Sequence, residues 1–404
     1  MVRSAFRGLA LILGSTAALL ALAACQGGAA AVSPPAEPWR AAATFKVAAG
    51  QQVVGGSVTA LSGGSAWATV SAAISPGHLT EEIERRNGHG WQRLSLPAAV
   101  ARQWASNDLG GAAVAASSAS NVWVIGGEAL GIRYAHYTGR WSFGAVPGTA
   151  PGKHPKHITL VADTEVVSPN DVWIFGFRLS TGAAAAGTPF AAHFNGQRWS
   201  SVAVPGSGAI VAVTVISAHD ILALVGSDEF LGFGTSTPTV IRWNGTSWRP
   251  LPVQPARVPG GTNVTAMTLS DGHLWIGGDR RETGAGLMPV YSNFAAELAG
   301  SSWRTVTLPA GKSSTDFELA SLVPDGSGGL WALGASTASG ISQRLWHYVH
   351  GRWQAPEQPR FGGTAGHLTE LAAVPGSGTV WGAGTLQRDG TVEGLIALVG
   401  PQPR

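Results

Sequence analysis

Short apolar runs recur along this chain as parts of a larger repeating unit. The first half of each unit contains a run that carries tryptophan and ends in glycine, as in Asn121–Gly126 (NVWVIG) and residues 171–176 (DVWIFG). The second half has a glycine turn followed by tryptophan, as in residues 195–199 (NGQRW) and 244–248 (NGTSW). Period-two alternation after that tryptophan is typical of strands, and Asn-Gly supplies the positive φ of a hairpin. Each unit therefore predicts four short antiparallel strands.

The unit is counted from its two tryptophan positions, which recur at intervals of about 50 residues. The first position is held seven times, by Trp67, Trp123, Trp173, Leu222, Trp275, Trp331 and Trp381. A repeat of this length, built of short strands, is typical of a β-propeller with one blade per repeat. We predict an all-β fold, a seven-bladed β-propeller of four-stranded blades whose repeated tryptophans form the core between blades.

The second tryptophan position is filled only six times, and this predicts how the ring closes. It is held by Trp91, Trp141, Trp199, Trp248, Trp303 and Trp353, while the seventh unit stops after residues 394–400 (GLIALVG). Near the other end of the chain, Trp39-Arg40 resembles Trp248-Arg249. We expect residues 38–46 to supply the outer strand of the last blade, since that pairing removes an open sheet edge.

The N-terminal segment indicates export. Arg3 and Arg7 precede an apolar run, residues 9–22, that is too short for a comfortable membrane span. The run ends in residues 22–25 (LAAC), which is similar to the bacterial lipobox. The resemblance implies cleavage before Cys25, a lipid on that cysteine, and a location at the outer face of the cell membrane. As Cys25 is the only cysteine, no disulfide can form within the monomer.

Three segments follow from these patterns. Residues 1–24 are a lipoprotein signal peptide, residues 25–37 are the lipidated cysteine and a Gly/Ala/Pro tether, and residues 38–400 are the propeller domain. Without Arg3 and Arg7, the 26 basic side chains become 24, against 23 acidic ones. Such a small excess gives no reason to expect a nucleic-acid partner. We expect a monomer held to the membrane by its lipid.

The glycine-ended strands resemble those of kelch and galactose-oxidase-like propellers. The resemblance rests on runs such as residues 123–127 (WVIGG) and 275–278 (WIGG), followed downstream by residues 303–309 (WRTVTLP). A quinoprotein-type propeller is the alternative, suggested by residues 138–141 (TGRW). Galactose-oxidase chemistry requires a copper site with a tyrosine crosslinked to cysteine, and the sole cysteine is the predicted lipid site. The resemblance therefore implies a fold and disfavours that activity.

No residue pattern identifies a catalytic centre, a cofactor or a metal site. The sequence contains no Asp-box repeats, which sialidase-like chemistry would require. His154 and His157 could be a metal-binding pair, but the segment between them contains a proline and is poorly preorganised for a metal. A polar position also recurs before each second-half turn, at Arg85, His136, His193, Arg242, Glu297 and His347. These side chains either bond the neighbouring turns within each blade or form a titratable ring along the channel. We expect no enzyme, although the sequence leaves this open.

Loop lengths indicate which face binds. The connections from second to third strand and from blade to blade are long, for example residues 177–189, 227–239 and 278–288. Binding residues are often on such loops. The candidates there are Trp104, Arg133, Arg178, Arg280, Arg281, Arg344 and Arg388. They favour a binding or scaffold module for an envelope glycan or protein. A glycan-active hydrolase or lyase using the same face, and an envelope sensor or assembly factor, are the alternatives.

Overall fold

The computed structural model describes residues 39–75, 78–88, 90–96, 112–126, 131–150, 157–180, 187–226, 238–255, 262–282, 290–309, 317–336, 343–354 and 359–401. Apart from the short 3-10 turn at Ser62–Gly64, the regular structure in these ranges is β-strand. Within them, no helix is long and apolar enough to cross a bilayer. The strands form seven antiparallel sheets, which are the blades of a seven-bladed β-propeller.

Six blades are continuous in the chain, and each runs from an inner strand to an outer one. Blades 1 to 3 consist of β2 (Gln52–Ala60), β3 (Ala66–Ser75), β4 (His78–Asn87) and β5 (Gly90–Leu94); β6 (Ala113–Ser118), β7 (Asn121–Gly126), β8 (Arg133–Tyr137) and β9 (Trp141–Ala145); and β10 (His157–Ser168), β11 (Asp171–Ser180), β12 (Gly187–Phe194) and β13 (Trp199–Val202).

Blades 4 to 6 follow the same order. They consist of β14 (Ala209–Ser217), β15 (Asp220–Gly226), β16 (Thr239–Trp243) and β17 (Trp248–Pro250); β18 (Thr262–Ser270), β19 (His273–Glu282), β20 (Val290–Ala299) and β21 (Ser302–Thr307); and β22 (Phe317–Pro324), β23 (Leu330–Ser336), β24 (Gln343–Val349) and β25 (Arg352–Trp353).

Blade 7 is assembled from both ends of the described chain. Its inner three strands are β27 (Thr364–Ala373), β28 (Val380–Arg388) and β29 (Thr391–Val399), and its outer strand is β1 (Arg40–Phe45). The short β26 (Arg360–Phe361) pairs with the beginning of β27. β1 runs antiparallel to β29, from Arg40 opposite Leu398 to Phe45 opposite Gly394. The predicted ring closure is confirmed.

The tryptophans fill the seams between blades, as predicted. A tryptophan of the second strand is almost fully buried, and the outer-strand tryptophan of the next blade packs edge-on against it. This occurs between Trp123 and Trp199, with ring centroids 5.7 Å apart, and between Trp331 and Trp39, at 5.6 Å. Trp39 therefore has the same position in blade 7 that Trp199 has in blade 3.

Second strands are continuously apolar because both of their faces are covered. In β11, Trp173 and Phe175 pack against blade 4, whereas Val172 and Ile174 pack in the seam with blade 2. The hairpin turns follow the predicted chemistry, with φ of 87° at Gly196 and 90° at Gly245.

The glycine that ends the apolar run of the second strand faces an irregularity in the inner strand. β10 has a bulge between Val161 and Asp163, next to its pairing with Gly176. A Cβ atom at Gly176 would lie 1.9 Å from the carbonyl oxygen of Leu160. Gly278 and Gly384 lie equally close to the inner strands of blades 5 and 7, which are also bulged. The repeated glycine is therefore required by close backbone approach beside a bulge.

Candidate functional site

The two rims of the propeller differ in their connections. On one, the short-turn rim, first strands turn into second strands and third into fourth, as at residues 169–170 and 195–198. On the other, the long-connection rim, second strands lead to third strands and each blade leads to the next, as at residues 227–238. The strand directions place all connections of the second class on one face, as the sequence predicts.

On the short-turn side, the recurrent polar residues are bound within their own blades. His193 is the cross-strand partner of Trp173, and its ring stacks on the indole with centroids 4.2 Å apart. The Oδ1 atom of Asp171 lies 2.8 Å from His193 Nε2 and accepts a hydrogen bond from Trp173 Nε1 at 2.9 Å. One carboxylate thus fixes both rings.

The same arrangement recurs in other blades. His347 stacks on Trp331 at 4.0 Å and lies 2.9 Å from the carboxylate of Asp325. His136 stacks on Trp123 at 4.0 Å and its Nε2 lies 2.7 Å from Asn121 Oδ1. The three histidines therefore belong to networks inside their own blades, and in blade 1 the guanidinium of Arg85 lies over the Trp67 ring at 5.4 Å. None of these residues lines the channel cavity, so the alternative of a titratable ring along the channel is wrong.

Blades 4 and 5 replace the histidine by a charged pair. Arg242 donates two hydrogen bonds of 2.6 Å to Asp220, and Arg304 donates one of 2.5 Å to Glu297. Burial raises the pKa of Asp325 in blade 6, but hydrogen bonds from His347, Ser327 and Gly329 outweigh it and hold that pKa at about 2. The recurrent charged groups of blades 4 to 6 are therefore paired within their own blades.

The inner strands surround a central channel with a cavity of about 460 Å³. Its lining is mostly small and apolar, but it includes the carboxyl groups of Asp163, Glu165 and Glu370 and the hydroxyls of Thr59 and Thr268. Asp163 and Glu165 are two residues apart in β10 and therefore lie on the same side of the strand. Burial, with the nearby Asp163 carboxylate, raises the pKa of Glu165 well above its usual value.

Sequence reasoning missed these channel carboxyls. The available signal was residues 161–166 (VADTEV), where two acids interrupt an inner strand that is otherwise apolar or small. Among the described residues, no group of three or more histidine, cysteine, aspartate or glutamate side chains is arranged to hold a metal ion. The channel therefore offers a carboxyl group whose ionisation is disfavoured by burial and by the neighbouring Asp163 carboxylate.

The predicted binding arginines lie at the long-connection end of five different blades. Arg133 and Arg344 begin the third strands of blades 2 and 6, while Arg178 and Arg388 lie near the ends of second strands in blades 3 and 7. Arg280 and Arg281 lie in β19. The structure places these residues on one rim but does not bring them into one pocket. Trp104 lies outside the described residues, as does Cys25.

The expectation that these arginines lie in loops is wrong, because all six lie in strands. Residues 177–180 continue β11, and residues 278–282 continue β19, so much of two predicted loops is hairpin. The second strands have ten residues in blades 1, 3 and 5 and nine in blade 7, but six or seven in blades 2, 4 and 6. Among the described residues, long and short second strands therefore alternate from blade 1 to blade 7.

A buried carboxyl group at this rim was also missed from sequence. Glu81 of β4 accepts a hydrogen bond from the backbone N–H of Ala112 at 3.0 Å and one from the Ser71 hydroxyl at 2.9 Å. Burial raises the pKa of Glu81 to about 8. Because Ala112 precedes β6, this carboxyl joins blade 1 to the entry of blade 2.

No protein-family model matches the chain, and no curated protein matches its sequence. Solved structures similar to it include YCF48 bound to D1 peptide, at 13% identity over 92% of this chain and 100% of that one, with a TM-score of 0.49. The polysaccharide lyase Uly1 has 10% identity over 96% and 94% of the two chains, with a TM-score of 0.49. The β-propeller domain of the Trilobed protease from Pyrococcus furiosus has 8% identity over 86% and 96%, with a TM-score of 0.47. Similarities of this size carry no functional information, and the fold stands on the strand pairing described above.

Proposed function

We propose that this protein is a lipid-anchored, extracytoplasmic binding or scaffold module, and that its long-connection rim binds an envelope glycan or protein. The proposal includes the resemblance to kelch and galactose-oxidase-like propellers, which concerns the scaffold only. It does not include the copper chemistry of galactose oxidase. The observation that carries it is the contrast between the two rims. The recurrent polar residues His193, Arg242 and His347 on the short-turn side are paired with carboxylates of their own blades, whereas the arginines Arg178 and Arg388 on the other rim have no carboxylate partner in the described part of the chain.

The entry point of the chain supports this orientation. β29 runs from the long-connection rim towards the short-turn rim, and Arg40 of β1 pairs near its end, with Leu398. The segment that follows Cys25 therefore reaches the propeller on the short-turn side. The Gly/Ala/Pro composition of the thirteen residues 26–38 predicts a tether with a root-mean-square span of roughly 20 Å. A lipid on Cys25 then holds the short-turn rim near the bilayer and leaves the long-connection rim facing outwards.

Rim arginines suit an anionic or hydrogen-bonding polymer. Guanidinium groups form planar, paired hydrogen bonds with carboxylates and phosphates, and they also contact sugar hydroxyls. Because long and short second strands alternate, these strands end at different heights around the channel mouth. A chain-like ligand can therefore lie between neighbouring hairpins. A rigid ring with surface binding residues needs no catalytic group to act as a scaffold.

The proposal is tested by binding of the full-length protein, purified in detergent, to an array of envelope polymers and to envelope proteins. A triple variant, Arg178→Gln, Arg344→Gln and Arg388→Gln, is compared with a matched triple variant on the short-turn side, Arg140→Gln, Arg198→Gln and Arg352→Gln. The proposal expects loss of binding in the first variant only, with both variants folded. Equal loss in both, or loss only in the second, would contradict it.

The alternative of an exported hydrolase or lyase has one observation in its favour, the Asp163–Glu165 pair in the channel. A carboxyl group with a raised pKa beside a second carboxyl group is an arrangement used by general acids. The same polymers are therefore incubated with wild type and with Glu165→Gln. New reducing ends or unsaturated products that depend on Glu165 would make the protein an enzyme. Binding without turnover supports the scaffold.

A further inference from the structure

Arg178 and Thr159 are adjacent on one face of blade 3. They are direct cross-strand partners between β11 and β10. Arg178 lies on the same side of β11 as Ile174, which packs against Trp123 of blade 2. The two side chains therefore lie at the seam between blades 2 and 3, towards the long-connection rim.

Both side chains carry hydrogen-bond donors that lack an acceptor among the residues that the structure describes. The Nε atom of Arg178 is buried and has no hydrogen-bond partner, and the same holds for the hydroxyl of Thr159, a residue that is 1% exposed. A buried donor without an acceptor destabilises the protein, and more so when the group is charged. Two such donors side by side mark a place where an acceptor is favoured.

Phe190 fixes the direction in which the guanidinium can bind. The guanidinium carbon of Arg178 lies 4.9 Å from the centroid of the Phe190 ring. This contact places one face of the guanidinium on the ring, so hydrogen bonds to an acceptor form in the plane of the guanidinium, along its N–H edge. A planar edge of Nε–H and Nη–H matches two oxygens of one oxyanion, and the Thr159 hydroxyl supplies a third donor.

Other arginines of this protein already hold such a partner. Arg93 bonds Glu84 at 2.9 Å, Arg242 bonds Asp220 at 2.6 Å, and Arg304 bonds Glu297 at 2.5 Å. Each of those pairs lies within one blade. Arg178 has the same donor edge, but in the described part of the chain no carboxylate forms an ion pair with it.

We propose that the Arg178–Thr159 seam is a binding site for an oxyanion carried by the ligand, a carboxylate or a phosphate group. The proposal rests on the proposed function, because it makes this seam the specificity-determining point of the long-connection rim. It narrows the ligand class to polymers with repeated anionic groups, such as a uronate glycan or a phosphodiester-linked polymer. Neutral glycans would satisfy neither the charge nor the paired donors.

The test measures the affinity of the full-length protein in detergent for four probes: a galacturonate oligomer, a glycerol-phosphate oligomer, inorganic phosphate, and a neutral oligosaccharide of similar length. The variants are Arg178→Gln, Arg178→Lys and Thr159→Val. The control is Arg198→Gln, which removes the same charge from an exposed position on the short-turn rim of the same blade. Thermal unfolding of each variant is followed by tryptophan fluorescence to confirm folding.

We expect at least one anionic oligomer to bind, with affinity about tenfold or more lower in Arg178→Gln and nearly unchanged in Arg198→Gln. Arg178→Lys should restore only part of the loss, since lysine keeps the charge but not the planar donor edge. Thr159→Val should weaken binding severalfold. The oligomer that binds shows whether the anion is the carboxylate of a glycan or the phosphate of a phosphodiester polymer. Binding of inorganic phosphate alone would contradict the proposal that the ligand is a polymer.

Three results would overturn the proposal. One is unchanged anion affinity in Arg178→Gln, and another is equal weakening in Arg178→Gln and Arg198→Gln, which would indicate unspecific charge attraction. The third is absence of binding to any anionic probe. If the rim still binds a neutral glycan or an envelope protein in that third case, the anion site is wrong and the proposed function stands.

Discussion

At the residue scale, the seam between blades 1 and 2 depends on one carboxyl group. Glu81 accepts hydrogen bonds from Ala112 N–H and from the Ser71 hydroxyl, and the Ala112 carbonyl accepts one from Thr69 at 2.8 Å. The backbone at the entry of blade 2 is thus held by side chains of blade 1. A carboxyl group buried in this way is more stable protonated than ionised.

Replacing Glu81 by glutamine should remove part of the pH dependence of stability. The pKa of Glu81 is raised in the folded protein, from 4.5 to about 8. Its contribution is therefore fully present below pH 4.5 and is lost as pH rises through about 8. Glutamine resembles the protonated form and can keep both hydrogen bonds. We expect Glu81→Gln to be more stable than wild type at pH 9 by a few kcal/mol, and near wild type at pH 5.

The measurement is denaturant unfolding of both proteins at pH 5, 7 and 9. Asp389→Asn, an isosteric change at an exposed turn, serves as the control and should leave the wild-type pH slope intact. If the free energies of unfolding of wild type and Glu81→Gln change with pH along parallel slopes, the pKa of Glu81 is not raised by burial.

Asp325 should act in the opposite direction, at acid pH. Its folded pKa is lowered from 3.8 to about 2, so the stability it contributes is present above pH 3.8 and is lost as pH falls through about 2. Asp325→Asn keeps the acceptor for Ser327 and Gly329 but removes the one that faces His347. We expect a loss of about 1–3 kcal/mol at pH 7 that shrinks towards pH 2. Unfolding at the two pH values checks this, and a constant difference would contradict it.

At the element scale, the sequence predicts strands best where both faces of a strand are buried. Tryptophan-containing second strands and the Asn-Gly hairpins have their predicted positions because packing and positive φ leave little choice at Trp173 or Gly196. The upper parts of β11 and β19 were expected to be loops because their composition is mixed and the pattern fades there. They are strands because each continues to pair with the inner strand, as Ser180 does with His157.

The candidate site was less predictable, because it depends on which side chains lack a partner. Sequence spacing places Arg178 on the correct rim, yet nothing in the spacing shows that Arg242 has a carboxylate beside it and Arg178 has none. Cross-strand register decides that difference. The acids of the channel, Asp163 and Glu165, were missed for the same reason, since only ring closure brings the inner strands together around a cavity.

Deleting residues 38–46 should open the ring. This removes β1, exposes the edge of the apolar strand β29, and removes Trp39 from its contact with Trp331. Truncation of a buried tryptophan alone costs about 3–5 kcal/mol, and an exposed apolar strand edge favours aggregation. We expect a lower and less cooperative melting transition, with reduced solubility. Deletion of residues 26–36 is the control and should leave the transition unchanged; an unaltered melt after the first deletion would rule out a stabilising role for β1.

At the scale of the whole molecule, the lipid anchor is predicted from residues 22–25 and tested by fractionation. Cys25→Ala removes the only thiol that could carry a lipid. We expect the variant to be released from membranes or retained as an unprocessed precursor, since a short tether offers no other hydrophobic anchor. Arg178→Gln should fractionate like wild type. Membrane retention of the processed Cys25→Ala protein after alkaline extraction would contradict the lipobox interpretation.

The orientation of the ring on the membrane is the last prediction. Once Cys25 is lipidated, the protein has no free thiol, so one introduced cysteine reports its own position. Arg388→Cys places a thiol on the long-connection rim, and Arg198→Cys places one on the short-turn rim; both positions are exposed. The tether spans roughly 20 Å, less than a propeller needs to turn over freely beside a bilayer. On intact cells stripped of their outer layers, a bulky maleimide should therefore label Arg388→Cys severalfold faster than Arg198→Cys. The difference should vanish when the same proteins are solubilised in detergent, and equal rates on the membrane would mean that the rim proposed to bind ligand does not face outwards.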